Sequence, residues 1–234
     1  MKAILITGPP GAGKSPLGDY LEKNLSGEKK FWHFDFGREL REIAESAAGQ
    51  NSGAEDDNQG DVSSSNQCSR MRGEVLTFSP DELARIKKSL QAAALFEESD
   101  RELVKKILLR FFARRNISSR DVVILNGLPR HSSQFFWLQG LLSIALVVHL
   151  MCSEEEALAR ILSNLEEERW GRQDDDPEVV RKRYRQYLQR TAPLVEFLRR
   201  EGLPVLELQV GLKTTPKELK EQLVSRKEFA ALLK

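Results

Sequence analysis

The stretch Gly8-Pro9-Pro10-Gly11-Ala12-Gly13-Lys14-Ser15 decides how the rest of the sequence is interpreted. It matches the pattern G-x-x-x-x-G-K-[ST] in full. Glycines let the backbone curl so that successive N–H groups point towards phosphate oxygens. Lys14 is expected to reach the β- and γ-phosphates of a nucleoside triphosphate, and the Ser15 hydroxyl to ligate Mg²⁺. The predicted nucleotide-binding residues of this loop are Gly8, Gly11, Ala12, Gly13, Lys14 and Ser15.

The segments around this loop predict an α/β fold. Short apolar runs alternate with longer amphipathic segments, which is the pattern of a parallel sheet flanked by helices. Strands are predicted at residues 2–7, 30–34, 122–125, 145–151 and 205–210. The first strand leads into the loop, and a helix predicted at residues 17–25 follows it, as a phosphate-binding loop requires. We therefore predict a P-loop NTPase fold with a parallel five-stranded sheet.

Several predicted helices start with a hydroxyl residue that is followed, three positions later, by glutamate. This spacing predicts a capping box, in which each side chain accepts a hydrogen bond from the backbone of the other residue. The pairs are Ser79 and Glu82, Ser99 and Glu102, Ser153 and Glu156, and Thr215 and Glu218.

Two polar segments interrupt the alternation of strands and helices. Residues 48–73 are rich in Ser, Asn, Gln, Asp and Gly. Because such a segment has almost nothing to bury, we expect a long mobile loop. Residues 166–176 form a short polar segment between two predicted helices.

The overall composition excludes several classes of function. The 36 basic and 35 acidic residues give a net charge of +1, so no global field attracts the chain to nucleic acid or membrane. Cys68 and Cys152 fit no metal-ligand spacing and are expected to be reduced thiols. The apolar run at residues 144–152 is far shorter than the roughly 20 residues of a membrane helix. We expect a soluble, cytoplasmic monomer.

Arginines mark the predicted strand ends. The motif GRELR at residues 37–41 and the motif NGLPR at residues 126–130 each follow a strand, at the edge where open α/β sheets bind ligands. Arg172 and Arg183 bracket a run of aspartates further along the chain. Guanidinium groups bind phosphate through two parallel hydrogen bonds, and phosphoryl transfer needs positive charge more than covalent chemistry. Arginines without a Ser/His/Asp set are what a kinase with an already phosphorylated acceptor would need, because such an acceptor requires no general base.

These motifs resemble the adenylate kinase family of nucleoside monophosphate kinases, in its short-lid form. The resemblance spans nearly the whole chain and preserves the order of the family's elements. The matching stretches are GPPGAGKS at 8–15, GRELR at 37–41, NGLPR at 126–130 with Gln134, RQDD at 172–175, RKR at 181–183, TAPL at 191–194 and GLK at 211–213.

The resemblance implies a role for each matching residue. The residues around the transferring phosphoryl group would be Lys14, Arg130, Arg172 and Arg183. Those that bind the acceptor would be Arg41, Gly127, Arg130 and Gln134, with Gln134 at the acceptor base. Arg160, at the donor base, and Lys213 would complete the nucleotide site.

The resemblance also implies a domain organisation and a reaction. The nucleotide-binding core would comprise residues 1–37, 121–165 and 177–234. Residues 38–120 would form a helical acceptor-binding insert that contains the polar loop, and residues 166–176 a short lid. The implied reaction transfers the γ-phosphoryl group of ATP, with Mg²⁺, to a nucleoside monophosphate, for which AMP is the expected acceptor.

The chain departs from the common pattern at several places. Asn126 and Arg38 stand where the family has aspartate, and Asp35 and Phe36 replace small hydroxyl residues. Pro16 supplies neither the hydroxyl nor the N–H group that commonly contacts phosphate there. Two alternatives therefore stay open: a kinase for a hydroxyl acceptor such as a sugar or nucleoside, with Asp35 as its base, and a non-catalytic nucleotide-binding protein.

Overall fold

The computed structural model describes residues 1–25, 29–51, 76–92, 94–163 and 177–233. The chain divides into two compact units. The first comprises Met1–Phe36 and Ile117–Lys234, and the second comprises Gly37–Asn116. The assignment of residues 38–120 to acceptor binding stays a prediction.

A parallel five-stranded sheet forms the centre of the first unit. Its strands are β1 (Lys2–Thr7), β2 (Phe31–Asp35), β3 (Val122–Asn126), β4 (Ser143–Met151) and β5 (Val205–Gln209). They are arranged in the order β2-β3-β1-β4-β5. The predicted P-loop fold is confirmed, and every predicted strand has its counterpart within two residues at each end.

Helices account for most of the remaining described chain. In chain order they are α1 (Lys14–Asn24), α2 (Phe36–Asn51), α3 (Pro80–Ala92), a 3₁₀ turn (Glu98–Asp100), α4 (Arg101–Arg115), α5 (Ser132–Trp137), α6 (Glu154–Ser163), α7 (Pro177–Gln186), a π-helical turn (Tyr187–Thr191), α8 (Ala192–Arg200), α9 (Pro216–Val224) and α10 (Lys227–Leu233). Within the described part of the chain, no helix has the length and apolarity that a membrane span requires.

The core of the first unit explains why its strands are short apolar runs. Ile4 and Ile6 of β1 and Val148 of β4 are buried, together with Leu17 of α1 and Leu219 of α9. A parallel strand buried on both faces carries apolar residues without alternation. The carboxyl ends of β1, β2 and β3 therefore extend from this buried core.

The second unit is built from α2, α3 and α4 and contains a buried carboxylate. Glu39 of α2 is only 3% exposed, and it accepts hydrogen bonds from Arg110 (3.4 Å) and Arg114 (2.7 Å) of α4. Burial raises the pKa of Glu39, while the charge of Arg114 acts in the opposite direction. The ion pairs thus join the helix that carries the GRELR motif to α4.

Three of the four predicted capping boxes are present, and the fourth is wrong. The pairs of Ser79, Ser153 and Thr215 with their glutamates exchange the expected hydrogen bonds. Before α4, however, the box is formed by Glu97 and Asp100 around the 3₁₀ turn. The reason is that α4 begins at Arg101, one residue later than Ser99 predicts, with Asp100 as its N-cap.

Parts of the two predicted polar segments lie outside the described residues. Residues 48–51, predicted as the start of a loop, continue α2. Residues 52–73, which include Cys68, and the whole predicted lid at 166–176 are not described. Cys152 is buried, and burial raises the pKa of its thiol to about 11, so the thiol is protonated at neutral pH.

Candidate active site

The loop between β1 and α1 requires glycine for steric reasons. Gly8 has a φ of 149° and Gly11 a φ of 81°, in the range that favours glycine. A Cβ atom at Gly8 would lie 2.5 Å from the carbonyl oxygen of Leu150, and one at Gly11 would lie 2.5 Å from that of Ala157. The loop therefore packs against β4 and α6 through positions that tolerate no side chain.

The ammonium group of Lys14 lies against the same loop. Its Nζ atom donates hydrogen bonds to the carbonyl oxygens of Gly8 (2.9 Å) and Pro9 (2.6 Å). Helix α1 begins at Lys14, with Gly13 as its N-cap at a φ of 78°. A helix N-terminus and an ammonium at a glycine-rich loop together make an anion-binding site.

Pro16 is accommodated in the first turn of α1 without loss of a helical hydrogen bond. The backbone N–H of Leu17 bonds to the carbonyl oxygen of Gly13 at 3.0 Å, one position after the proline. The N–H groups of a first turn have no helical partner, so proline is tolerated there. Because proline has no backbone N–H group, Pro16 leaves one fewer N–H group that could bind phosphate.

Three polar side chains meet where β2 and β3 end beside the phosphate loop. The Ser15 hydroxyl donates a hydrogen bond to Oδ2 of Asp35 at 2.5 Å. The Asn126 amide donates to that same oxygen and to Ser15 Oγ, each at 3.0 Å. Asp35 and Asn126 are direct partners in the register of β2 and β3. Both are nearly buried, so the cluster is a fixed feature of the sheet edge.

Arg130 is held by the turn that follows β3. Its Nε atom donates to the carbonyl oxygen of Gly127 (3.1 Å), and its backbone N–H donates to Oε1 of Gln134 (2.7 Å). Gly127 has a φ of 82°, and Gln134 is 2% exposed. The buried amide thus fixes the turn that aims the guanidinium group.

The charge of Arg130 is perturbed by its surroundings. Burial, and to a smaller extent the charge of Arg183 on α7, lower the pKa of this guanidinium to about 10, although the charge of Asp35 acts in the opposite direction. The fold therefore brings Arg130 within electrostatic range of both Arg183 and Asp35. Binding of an anion beside these guanidinium groups would stabilise their charged form.

Arg160 of α6 connects the phosphate loop to the loop after β5. Its Nε atom donates to the carbonyl oxygen of Gly11 (3.0 Å). Its Nη1 atom donates to the carbonyl oxygens of Gly211 (2.8 Å), Leu212 and Thr214 (both 3.1 Å). Because Arg160 is only 8% exposed, its guanidinium serves as a structural bridge between two loops.

The geometry of the first unit does not test the roles of three other predicted site residues. Lys213 is exposed on the loop after β5, and Arg41 lies on α2 in the second unit. Arg172 lies outside the described residues. Their roles stay predictions.

Two contacts of the site were not predicted from the sequence. The sequence identifies Asp35 as a possible base and as a departure from the family pattern, but its bond to Ser15 is not predicted. The signal was available, because Asp35 and Asn126 each directly follow a predicted strand. The backbone partners of Arg160 left no sequence signal, since Gly11 lies 149 positions away.

Comparison with known proteins agrees with this geometry. A family model described as an AAA domain matches residues 4–189, so the chain belongs to that family of domains. An adenylate kinase of Xylella fastidiosa is 33% identical over 141 residues, which cover 57% of this chain and 70% of the relative. An adenylate kinase of Stenotrophomonas maltophilia is 28% identical over 207 residues, which cover 85% of this chain and 86% of the relative.

The chain belongs to the adenylate kinase family. The matched span of the AAA domain includes the phosphate loop, Asp35, Asn126, Arg130 and Arg183. In this adenylate kinase family member, the cationic residues Lys14, Arg130 and Arg183 therefore all lie within the matched region.

Proposed function

We propose that this adenylate kinase family member transfers the γ-phosphoryl group of ATP to a nucleoside monophosphate, with AMP as the acceptor. The chain is an ATP-dependent phosphotransferase by its family. The observation that carries the choice of acceptor class is the pair formed by Arg130 and Arg183. Burial and the charge of Arg183 depress the pKa of Arg130, and an acceptor phosphate would relieve both penalties.

The geometry of the first unit supports the following roles for its residues. Lys14 and the N-terminus of α1 hold the donor phosphates. Arg130 and Arg183 neutralise the charge that is redistributed as the phosphoryl group moves, and the family resemblance implies the same role for Arg172. The monophosphate is already an anion that can attack, so the residues position and neutralise without abstracting a proton.

The remaining assignments concern the two nucleotides. Arg41 and Gly127 bind the acceptor phosphate with Arg130, and Gln134 contacts the acceptor base. Arg160 and Lys213 belong to the donor side, where the buried Arg160 supports the phosphate loop by its bond to Gly11.

The residues present suit Mg²⁺. This ion prefers oxygen ligands, usually one or two side chains together with water and substrate phosphates. Ser15 and Asp35 offer a hydroxyl and a carboxylate at one place beside the phosphate loop. Among the described residues no cluster of three or more His, Cys, Asp or Glu side chains could form a complete protein cage. When bound, Mg²⁺ would neutralise charge on the nucleotide phosphates.

An acceptor panel tests the proposal. Purified protein is incubated with ATP and Mg²⁺ and with AMP, CMP, UMP, GMP or the corresponding nucleosides, and ADP formation is followed by a coupled assay. We expect AMP to give the highest kcat/KM. Phosphorylation of nucleosides or sugars without monophosphates would instead establish the hydroxyl-acceptor alternative, for which Asp35 is the available base.

A further inference from the structure

The Ser15 hydroxyl has its proton committed to a carboxylate. Ser15 donates this proton to Asp35 at 2.5 Å and accepts a hydrogen bond from the Asn126 amide at 3.0 Å. A serine hydroxyl has one proton and two lone pairs. These two hydrogen bonds use the proton and one lone pair, so the second lone pair remains to ligate a cation.

The partner that accepts the proton determines where that lone pair points. If the proton pointed towards a cation, the hydroxyl would repel it. An ionised carboxylate can accept hydrogen bonds but cannot donate them, so Asp35 keeps the Ser15 proton directed towards itself. Partners of this kind, which orient the groups that bind a metal, commonly determine metal affinity.

The cluster contains a single carboxylate, placed on β2 and not on β3. Asp35 and Asn126 are register partners on neighbouring strands, and the Asn126 amide donates to Asp35 Oδ2 at 3.0 Å. An acid at either position would therefore lie beside Ser15. In this chain β3 supplies the neutral amide, and β2 supplies the negative charge.

We propose that Asp35 is the positioning carboxylate of the Mg²⁺ site. It accepts the Ser15 proton, turns the oxygen lone pair towards the metal and supplies the negative charge that Asn126 lacks. Asn126 holds both groups in place through its amide. This inference rests on the proposed function, because it concerns the metal that accompanies the donor nucleotide.

The test measures metal binding without turnover. Mn²⁺ is titrated into the protein saturated with β,γ-methylene ATP, and bound Mn²⁺ is followed by electron paramagnetic resonance. We expect Asp35→Asn to weaken Mn²⁺ binding by about 10- to 100-fold. The double exchange Asp35→Asn with Asn126→Asp keeps one acid and one amide in the pair, and it should return the affinity to within about threefold of wild type.

A matched control separates this effect from the general loss of a buried acid. Asp121 has the same exposure as Asp35, 8%, but it precedes β3 at the opposite edge of the sheet. Asp121→Asn should leave Mn²⁺ affinity unchanged. Thermal denaturation of all variants identifies any that do not fold, and the double exchange then carries the test.

The outcomes separate this inference from the proposed function. Wild-type Mn²⁺ affinity in Asp35→Asn, or an unrestored double exchange, overturns the inference. Loss of transfer in Asp35→Asn with unchanged Mn²⁺ affinity also overturns it and supports a catalytic base. Weakened Mn²⁺ binding in Asp35→Asn, restored by the exchange, supports the inference even if no monophosphate proves to be an acceptor.

Discussion

At the scale of one residue, the buried charge of Arg130 lowers the stability of the fold and is available to bind an anion. Its guanidinium remains charged at neutral pH, although burial and Arg183 bring its pKa down to about 10. Stability lost to a buried charge of this kind is regained when a counter-charge binds. A bound phosphate group would therefore reduce the repulsion between Arg130 and Arg183.

Replacing Arg130 by methionine should separate stability from function. Arg130→Met removes the desolvated charge and the repulsion with Arg183, so the melting temperature without nucleotide should equal or exceed that of wild type. The kcat for phosphoryl transfer should fall by about 10² or more, because the group that we propose to stabilise the transition state is lost.

Calorimetry and steady-state kinetics measure these two effects. The control is Arg181→Met, since Arg181 is 48% exposed on the same helix as Arg183. A lower melting temperature with unchanged kcat would contradict the account of Arg130.

Arg160 provides a second prediction at the residue scale. Arg160→Lys keeps the charge but loses the planar fork that joins the carbonyl oxygens of Gly11 and Gly211. We expect the free energy of unfolding to fall by about 2–3 kcal/mol, since buried acceptors lose their partners. Urea denaturation provides the measurement, and the exposed Arg190 gives the control Arg190→Lys. Equal stability of the Arg160 variant would show that the bridge is dispensable.

The residue scale is also where prediction from sequence was least complete. The phosphate loop was identified because its function requires glycines and a lysine at fixed spacing, and Gly8 and Gly11 have the expected backbone. The bridge made by Arg160 was not predicted, because a charged residue on an amphipathic helix is usually solvated. Only the fold reveals that this arginine is buried among carbonyl groups.

At the scale of elements, the π-helical turn Tyr187–Thr191 places the Tyr187 hydroxyl beside the His149 side chain of β4. His149 Nε2 lies 2.7 Å from the Tyr187 hydroxyl, and His149 Nδ1 lies 3.7 Å from a carboxylate oxygen of Glu207. Burial lowers the pKa of His149, Glu207 and Glu196 partly oppose this effect, and Arg199 adds to it. Burial likewise raises the pKa of Tyr187 to about 12, so its hydroxyl keeps its proton.

This pair should make stability depend on pH in a defined direction. The lowered pKa means that the unfolded chain binds the proton more readily than the folded chain. The His149 contribution is therefore favourable above the ordinary pKa of 6.5 and is lost as pH falls below it. The free energy of unfolding should decrease between pH 7 and pH 5 more steeply in wild type than in His149→Gln.

Urea denaturation at several pH values measures the two slopes. Tyr187→Phe serves as the control, since it removes the hydroxyl and keeps the imidazole, and its slope should follow wild type. Parallel slopes for wild type and His149→Gln would exclude His149 as a source of acid sensitivity.

Element boundaries were predictable where a local signal decides them. The Thr215 and Glu218 box lies next to a proline in the first turn of α9, and the structure has both features. The Ser99 box was wrong because Asp100 already accepts a hydrogen bond from the backbone of Glu97 at 2.8 Å. Asp100 also pairs with Arg85 at 2.6 Å, a contact from another helix that local sequence does not encode.

At the scale of the whole molecule, the sheet was predictable in its strands but not in their order. Each strand is an apolar run bounded by turns, which is a local property. The placement of β1 between β3 and β4 depends on long-range pairing, such as that of Leu5 with Leu125 and Val147. This order nevertheless creates the site, because it brings the ends of β1, β2 and β3 together beneath Ser15 and Arg130.

The proposed reaction of this assembly moves a phosphoryl group from ATP to AMP. Phosphorus NMR of the purified protein with ATP, AMP and Mg²⁺ tests it most directly, because it follows donor, acceptor and product together. We predict that ATP and AMP disappear in equal amounts and two ADP molecules form for each pair, and that Lys14→Ala slows this exchange by about 10² or more. If wild-type protein left AMP unchanged, or if Lys14→Ala formed ADP at the wild-type rate, the claim would be contradicted.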